Sequence, residues 1–165
     1  MIVVVCGVSG VGKSTVGELL ARELKWKFYE ADDFHPTPNI EKMKAGVPLT
    51  DEDRQPWLDK LQQLIKGCLA ARENAILACS ALKKSYRDHL RVSDDVKVVF
   101  IHGSRARVSK QLRQRRGHFM NPALLDSQFE DLELPQASEP VLTLELGGSP
   151  RKLVELIKAK LKLRG

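Results

Sequence analysis

Apolar residues in this chain fall into two kinds of run. The first kind is short and continuous, as at residues 2–6 (IVVVC), 75–79 (AILAC), 96–102 (VKVVFIH) and 141–146 (VLTLEL). Such runs predict strands buried on both faces. A shorter run at 27–31 (KFYEA) predicts one more. The second kind repeats at intervals of three and four. Val16, Leu19, Leu20 and Leu24 form one stripe, and Trp57, Leu58, Leu61, Leu64, Ile65 and Leu69 form another. These predict helices over 13–24 and from Pro56 to about residue 71, with proline in the first turn where its missing N–H is no loss. Further helices are expected over 39–44, 83–91, from about 105, over 124–131, and after Ser149 as a cap with Pro150 next. Strands alternating with helices from end to end predict an α/β domain. Its core is a five-stranded parallel sheet with helices on both faces, joined by right-handed crossovers.

The segment joining the first strand to the first helix is GVSGVGKST, Gly7 to Thr15. Its spacing is glycine, four residues, then Gly12-Lys13-Ser14. Between a strand and a helix, that pattern folds the backbone around an anion, because its glycines admit positive φ and successive N–H groups turn inward. The helix start adds unpaired N–H groups and a partial positive charge. Gly7, Val8, Ser9, Gly10, Val11, Gly12, Lys13, Ser14 and Thr15 are therefore expected to hold nucleotide phosphates. Lys13 would bridge the β- and γ-phosphates, and the Ser14 hydroxyl would ligate Mg²⁺.

The second strand runs into EADDFHP, Glu30 to Pro36. Ligands of parallel sheets lie beyond the carboxyl ends of the strands. Asp32 is thus the candidate to orient or deprotonate an acceptor hydroxyl and to contribute to the metal site. The third strand ends in Cys79-Ser80, without the carboxylate many phosphate-loop proteins carry there, which puts more weight on Asp32.

Composition narrows the partners. The chain has 165 residues, enough for one domain, and carries a formal net charge of +6. The densest basic stretch, RQRRGH at 113–118, has no interleaved aromatics on which bases could stack, so small anionic substrates are preferred to nucleic acid. No run is long enough to cross a membrane, and the apolar N-terminus lacks the flanks of a secretory leader. Cys6, Cys68 and Cys79 show no metal or redox spacing and are expected to be buried, reduced thiols in the cytoplasm.

Six stretches together resemble one family: GVSGVGKS, ADDFHP, NIEKMKAGVPLTDEDRQPWL, CSALKKSYRDHLR, GHFM and LLDSQFEDLELP. The chain resembles the phosphate-loop gluconokinases, relatives of shikimate kinase and the nucleoside monophosphate kinases, over nearly its whole length. The resemblance implies ATP-dependent phosphorylation of D-gluconate to 6-phosphogluconate with Mg²⁺, an adenylate/shikimate kinase-like fold with a short lid, and a homodimer. It places an acceptor-binding region at about 33–58. His35, Lys42, Arg54, Ser80, Lys83 and Arg87 are expected to line the acceptor pocket, since a polyol acid needs cations and mixed donors. It places a lid at about 111–122. There Arg115 would meet the transferred phosphoryl group, and Arg113 would approach the nucleotide base in place of the arginine expected at Gln111. A shikimate or nucleotide kinase would need a different acceptor segment. A nucleotide-driven switch would need effector loops that the chain does not display.

Overall fold

The computed structural model describes residues 1–114 and 122–165. Five strands form one parallel sheet: β1 (Ile2–Cys6), β2 (Lys27–Glu30), β3 (Ala75–Ala78), β4 (Val96–His102) and β5 (Val141–Glu145), in the order β2-β3-β1-β4-β5. Strand β1 lies centrally, paired in parallel with β3 and β4. Helix α1 (Lys13–Leu24) follows β1, α5 (Arg105–Gln114) and α6 (Pro122–Asp131) come between β4 and β5, and α7 (Pro150–Leu161) follows β5. Helices α2 (Thr37–Lys44) and α3 (Asp51–Ala70) follow β2, and α4 (Lys84–Leu90) follows β3. No described helix is long and apolar enough to cross a membrane.

The continuous apolar strands do what their pattern dictates. Val3 and Val5 of β1, with Ile76, Val99 and Ile101, turn to one face and pack on Val16, Leu20 and Leu24 of α1 and Leu153, Val154 and Ile157 of α7. Ile2, Val4 and Cys6, with Leu77, Val98 and Phe100, turn to the other and pack on Trp57, Leu58, Leu61 and Ile65 of α3. Both faces are covered, so alternation along each strand separates two cores rather than core from solvent. All three cysteines are buried free thiols, and burial pushes the Cys6 thiol up to about 12. Such a thiol is inert at neutral pH.

Several elements differ from expectation. The long helix begins at Asp51, not Pro56. Thr50 accepts from the Asp53 N–H at 3.1 Å while the Asp53 carboxylate accepts from the Thr50 N–H at 2.9 Å. This reciprocal cap fixes the helix start. Asp51, Glu52 and Asp53 in the first turn add three negative charges at its positive end. Pro56 sits one turn inside, exposed, where the helix tolerates the missing N–H. The second departure is that β2 stops at Glu30, and Asp32 and Asp33 ride on a single 3-10 turn, Ala31–Phe34. The helix expected over 39–44 starts two residues earlier, at Thr37.

Arg87 also departs from its expected place. It is 2% exposed, and its Nε and a terminal nitrogen donate to the Glu139 carboxylate at 2.9 and 3.1 Å. Its other terminal nitrogen donates to the carbonyls of Ala81 and Leu82 at 3.2 and 2.9 Å. With four of its five donors used internally, Arg87 is buried away from the cleft; it braces the turn after β3, where Ala81 is held at φ +40°. The guanidinium holds the Glu139 carboxyl below the usual carboxylate range. The pair's contribution is therefore present above that range and is lost as pH falls through the depressed value. Arg87→Met leaves Glu139 buried without its counter-charge and should destabilise the protein by about 3–5 kcal/mol in chemical denaturation. The double change Arg87→Met/Glu139→Gln should recover part of that loss.

Candidate active site

The phosphate loop is shaped by contacts that exclude side chains. Gly7 sits at φ +145°, and a Cβ there would stand 2.4 Å from the Ile101 carbonyl oxygen. Gly10, at φ +89°, lies against Leu112 of α5, 2.5 Å from where a Cβ would be. Gly12, also left-handed at φ 93°, starts α1 without a side-chain cap. The first-turn N–H groups of that helix are thereby left for a ligand. Val8 and Val11 anchor the loop by burying their side chains, so they offer only backbone. Thr15 is exposed on the first turn.

Lys13 arches back to donate to the Val8 carbonyl at 3.2 Å. Burial pushes its ammonium down from the ordinary lysine value, against the pull of Asp32 and Glu30. A phosphate in the loop would restore the charged form. Ser14 Oγ donates a short hydrogen bond to the Glu30 carboxylate, and burial raises Glu30 above the usual carboxylate range. The carboxylate that meets Ser14 is therefore Glu30, the last residue of β2. The sequence reading had passed over it, although the strand-end rule that singled out Asp32 applies equally two residues earlier.

From the loop a cleft opens along the carboxyl edge of the sheet. Ser9, Lys13, Asp32, His35, Arg54 and Ser80 all line it, together with Tyr86, Ser127 and Gln128 and the apolar Met43, Trp57 and Leu124. Asp32 is exposed to the cleft. His35 is buried, stacked on Trp57 with ring centroids 4.2 Å apart. Burial lowers its pKa. Arg54 donates to Tyr86 Oη at 2.9 Å and to Asp131 at 2.8 Å. Tyr86 in turn donates a short bond to Asp51.

The remaining cations expected in the acceptor pocket lie elsewhere. Lys42 is held by Asp53 at 2.9 and 3.0 Å, off the cleft wall. That contact and the Thr50 N–H bring the Asp53 carboxyl down to about 2, the backbone N–H contributing most. Lys83 is engaged by Asp51 at 2.9 Å beside the Tyr86 ring. Arg113 is exposed near the end of α5. Arg115, with the middle of the expected lid at 115–121, lies outside the described residues.

Two glutamines invisible to motif reading hold the loop. Gln128 of α6 accepts from the Ser9 N–H at 2.7 Å and donates to Ser9 Oγ at 3.1 Å. Gln111 donates to the Gly10 carbonyl at 2.8 Å. Gln111 also lines a second depression with Arg107, Lys110, Gln114, Gly147 and Gly148, between α5 and the turn after β5.

The arrangement is that of a phosphoryl-transfer enzyme, with a phosphate-type loop and a guanidinium on the walls of one polar cleft. The shikimate kinase family matches residues 9–143. A gluconokinase of Gluconobacter oxydans is 45% identical over 92% of this chain and 86% of its own. The chain belongs to the gluconokinase family of phosphate-loop kinases. Among solved structures, a gluconokinase from Sinorhizobium meliloti superposes with a TM-score of 0.87 at 42% identity, covering 97% of this chain and 90% of that one. A sugar kinase from Janibacter sp. reaches 0.91 at 40% identity, covering 98% and 94%.

The crowding at Gly10 is open to test. Gly10→Ala should cost about 1–2 kcal/mol from its φ alone, plus the clash with Leu112. Adding Leu112→Ala should relieve only the clash, so that Gly10→Ala costs less in that background than in wild type, by thermal or chemical denaturation.

Proposed function

We propose that the protein transfers the γ-phosphoryl group of ATP to the 6-hydroxyl of D-gluconate, giving 6-phospho-D-gluconate and ADP. The observation that carries this reading is the single cleft joining Lys13 and Asp32 to Arg54. Gluconate has a carboxylate at one end and a primary hydroxyl at the other. Arg54 uses two of its five N–H donors on Tyr86 and Asp131 among the described residues, which leaves a fork for the carboxylate. Ser80 and the side chains of Ser127 and Gln128 meet the hydroxyls between, and His35 stands at the Asp32 end of the cleft.

In the transfer, the 6-oxygen forms a bond to the γ-phosphorus as the bond from that phosphorus to the β–γ bridging oxygen breaks. The proton passes to the Asp32 carboxylate and ADP leaves. Lys13 stays with the phosphoryl oxygens as charge moves onto the bridge. The loop amides position the chain of phosphates, and Arg113 and the second depression by Gln111 receive the base and ribose. Arg115 is the proposed lid cation that meets the transferred group. The donor set suits Mg²⁺: Ser14 and Glu30 already present a hydroxyl and a carboxylate to each other, with Asp32 nearby in sequence. No group of three or more His, Cys, Asp or Glu side chains among the described residues forms a ready cage. That fits a cation which prefers few protein ligands plus phosphate and water. When bound, it would neutralise charge on the β- and γ-phosphates. A cytoplasmic homodimer that binds neither nucleic acid nor membrane completes the proposal, and sedimentation velocity would test the dimer.

ADP release measured with gluconate, shikimate, nucleoside monophosphates and buffer should be fast with gluconate alone; fast release with another acceptor would reassign the substrate. Asp32→Asn should lower kcat and kcat/KM together while the gluconate KM changes little. Arg54→Met should weaken gluconate binding about tenfold to 150-fold, the equivalent of roughly 1.5–3 kcal/mol for a charge-assisted bond. Calorimetry should find ATP affinity unchanged.

A further inference from the structure

His35 is set in the cleft wall with its protonation pattern fixed by a neighbour that touches no substrate. Asn39, 3% exposed, donates from Nδ2 to the Asp53 carbonyl at 2.8 Å. That contact fixes the amide's orientation, because the flipped amide would set oxygen against oxygen. The same Nδ2 stands 3.3 Å from His35 Nδ1. An amide nitrogen has two protons and no acceptor capacity. One proton serves Asp53 and the other faces Nδ1, so Nδ1 must be bare. A neutral imidazole bare at Nδ1 carries its proton at Nε2. The stack on Trp57, at an interplanar angle of 13°, fixes the ring plane, and Trp57 is pinned by its own bond to the Ala31 carbonyl at 2.7 Å. Within that plane the flipped ring would set a C–H against the Asn39 N–H and lose its bond.

Nε2 looks toward the cleft. Asp32 Oδ1 is 3.9 Å away, too far for a direct hydrogen bond. A substrate oxygen about 2.8 Å from each would bridge that gap. Burial chiefly favours the neutral ring; of the charged groups that bear on it, Asp32 opposes burial and Arg54 adds to it.

We infer that His35 is a fixed Nε2–H donor that orients the attacking hydroxyl: the hydroxyl oxygen accepts from His35 and its own proton is thereby directed at Asp32. This rests on the proposed transfer to a hydroxyl of gluconate and gives that step its geometry. A hydroxyl can both donate and accept, and in an open cleft it would sample both arrangements toward a carboxylate and a water. With a permanent donor on one side, only the arrangement that presents its proton to Asp32 remains. The bond from His35 draws some electron density from the oxygen, but a loose phosphoryl-transfer transition state demands little of its nucleophile. Orientation therefore outweighs that loss. Asn39 is a positioning residue in this scheme, acting only through the imidazole.

The tautomer can be read directly. Protein labelled with ¹⁵N in its four histidines would be examined by long-range ¹H–¹⁵N correlation, with the His35 signals identified by their loss in His35→Gln. The free protein at neutral pH should show His35 protonated at Nε2 and bare at Nδ1. A ring protonated at Nδ1, or at both nitrogens, overturns the inference. Because this measurement needs no substrate, its failure is distinct from failure of gluconate as acceptor, which would appear as absent turnover in the wild-type enzyme. Kinetics supply the second arm. His35→Asn, whose amide cannot reach the Nε2 position, should lower kcat by about 100-fold with ATP affinity retained. His35→Gln, whose Nε2 stands near that of the imidazole, should recover at least tenfold of the loss. Equal kcat in the two variants, or full kcat in His35→Asn, overturns the role. If His35→Asn does not fold, the tautomer and the kcat of His35→Gln decide.

Discussion

A loop that must turn its amides toward an anion cannot use them to hold itself together, and most of this molecule's polar contacts around the site answer that constraint. The loop from Gly7 to Gly12 makes one turn-like bond of its own, Val11 N–H to the Val8 carbonyl at 3.4 Å. Everything else comes from outside. The Ser80 carbonyl takes the Gly7 N–H at 3.2 Å, Gln128 grips Ser9 from α6, and Gln111 reaches the Gly10 carbonyl from α5. Valines at 8 and 11 sink into the core below. The sheet fixes where the loop starts, because Gly7 passes so close to the Ile101 carbonyl that only a hydrogen fits. Residues far apart in sequence thus converge on six residues of backbone, and the preorganisation of the anion site is distributed over three connecting elements.

The same reasoning accounts for the cations. Lys42, Lys83 and Arg87 share with Arg54 the sequence context that suggested an acceptor pocket. The structure assigns Lys42, Lys83 and Arg87 to Asp53, Asp51 and Glu139. Asp51 and Asp53 belong to the first turn of α3, where the helix end favours negative charge, so Lys42 and Lys83 complete an electrostatic cap. Arg87 is buried, and a buried cation must be paired; its partner is supplied by a residue 52 positions away. Arg54 also has a carboxylate partner, Asp131, yet it stays on the cleft wall because Tyr86 and Asp131 hold it from one side.

How much was legible follows from how local each signal is. The parallel sheet, the phosphate loop and α1 were readable because period and motif lie within a dozen residues. Strands β1 and β4 and helix α1 fall where the pattern puts them. The start of α3 lies at the Thr50 cap rather than at Pro56, because the reciprocal Thr50–Asp53 bonds fix it, a signal of three-residue spacing that the proline overshadows in the sequence. Lys13, Asp32, His35, Arg54 and Ser80 do meet in one cleft. The fates of Lys42, Lys83 and Arg87 were not legible, because a cation's partner is decided by tertiary packing. Gln128 was hidden for the opposite reason: a glutamine on an amphipathic helix carries no chemical signal until the loop it touches is known.

Helix α6 shows what that packing accomplishes. Gln128 and Asp131 are three residues apart, one turn of helix, and so project from one face. The first holds Ser9 of the phosphate loop; the second holds Arg54. One turn therefore sets the spacing between the phosphate loop and Arg54, the group that the proposed function places against the acceptor's carboxylate. The expected lid leads directly into this helix. A displacement of α6 on its axis would move both contacts together, so donor and acceptor ends cannot be adjusted independently. For the proposed in-line transfer, whose rate would depend on close placement, such a shared support would fix the distance across which a substrate must reach, and with it the chain length of the acids that could present a hydroxyl to Asp32.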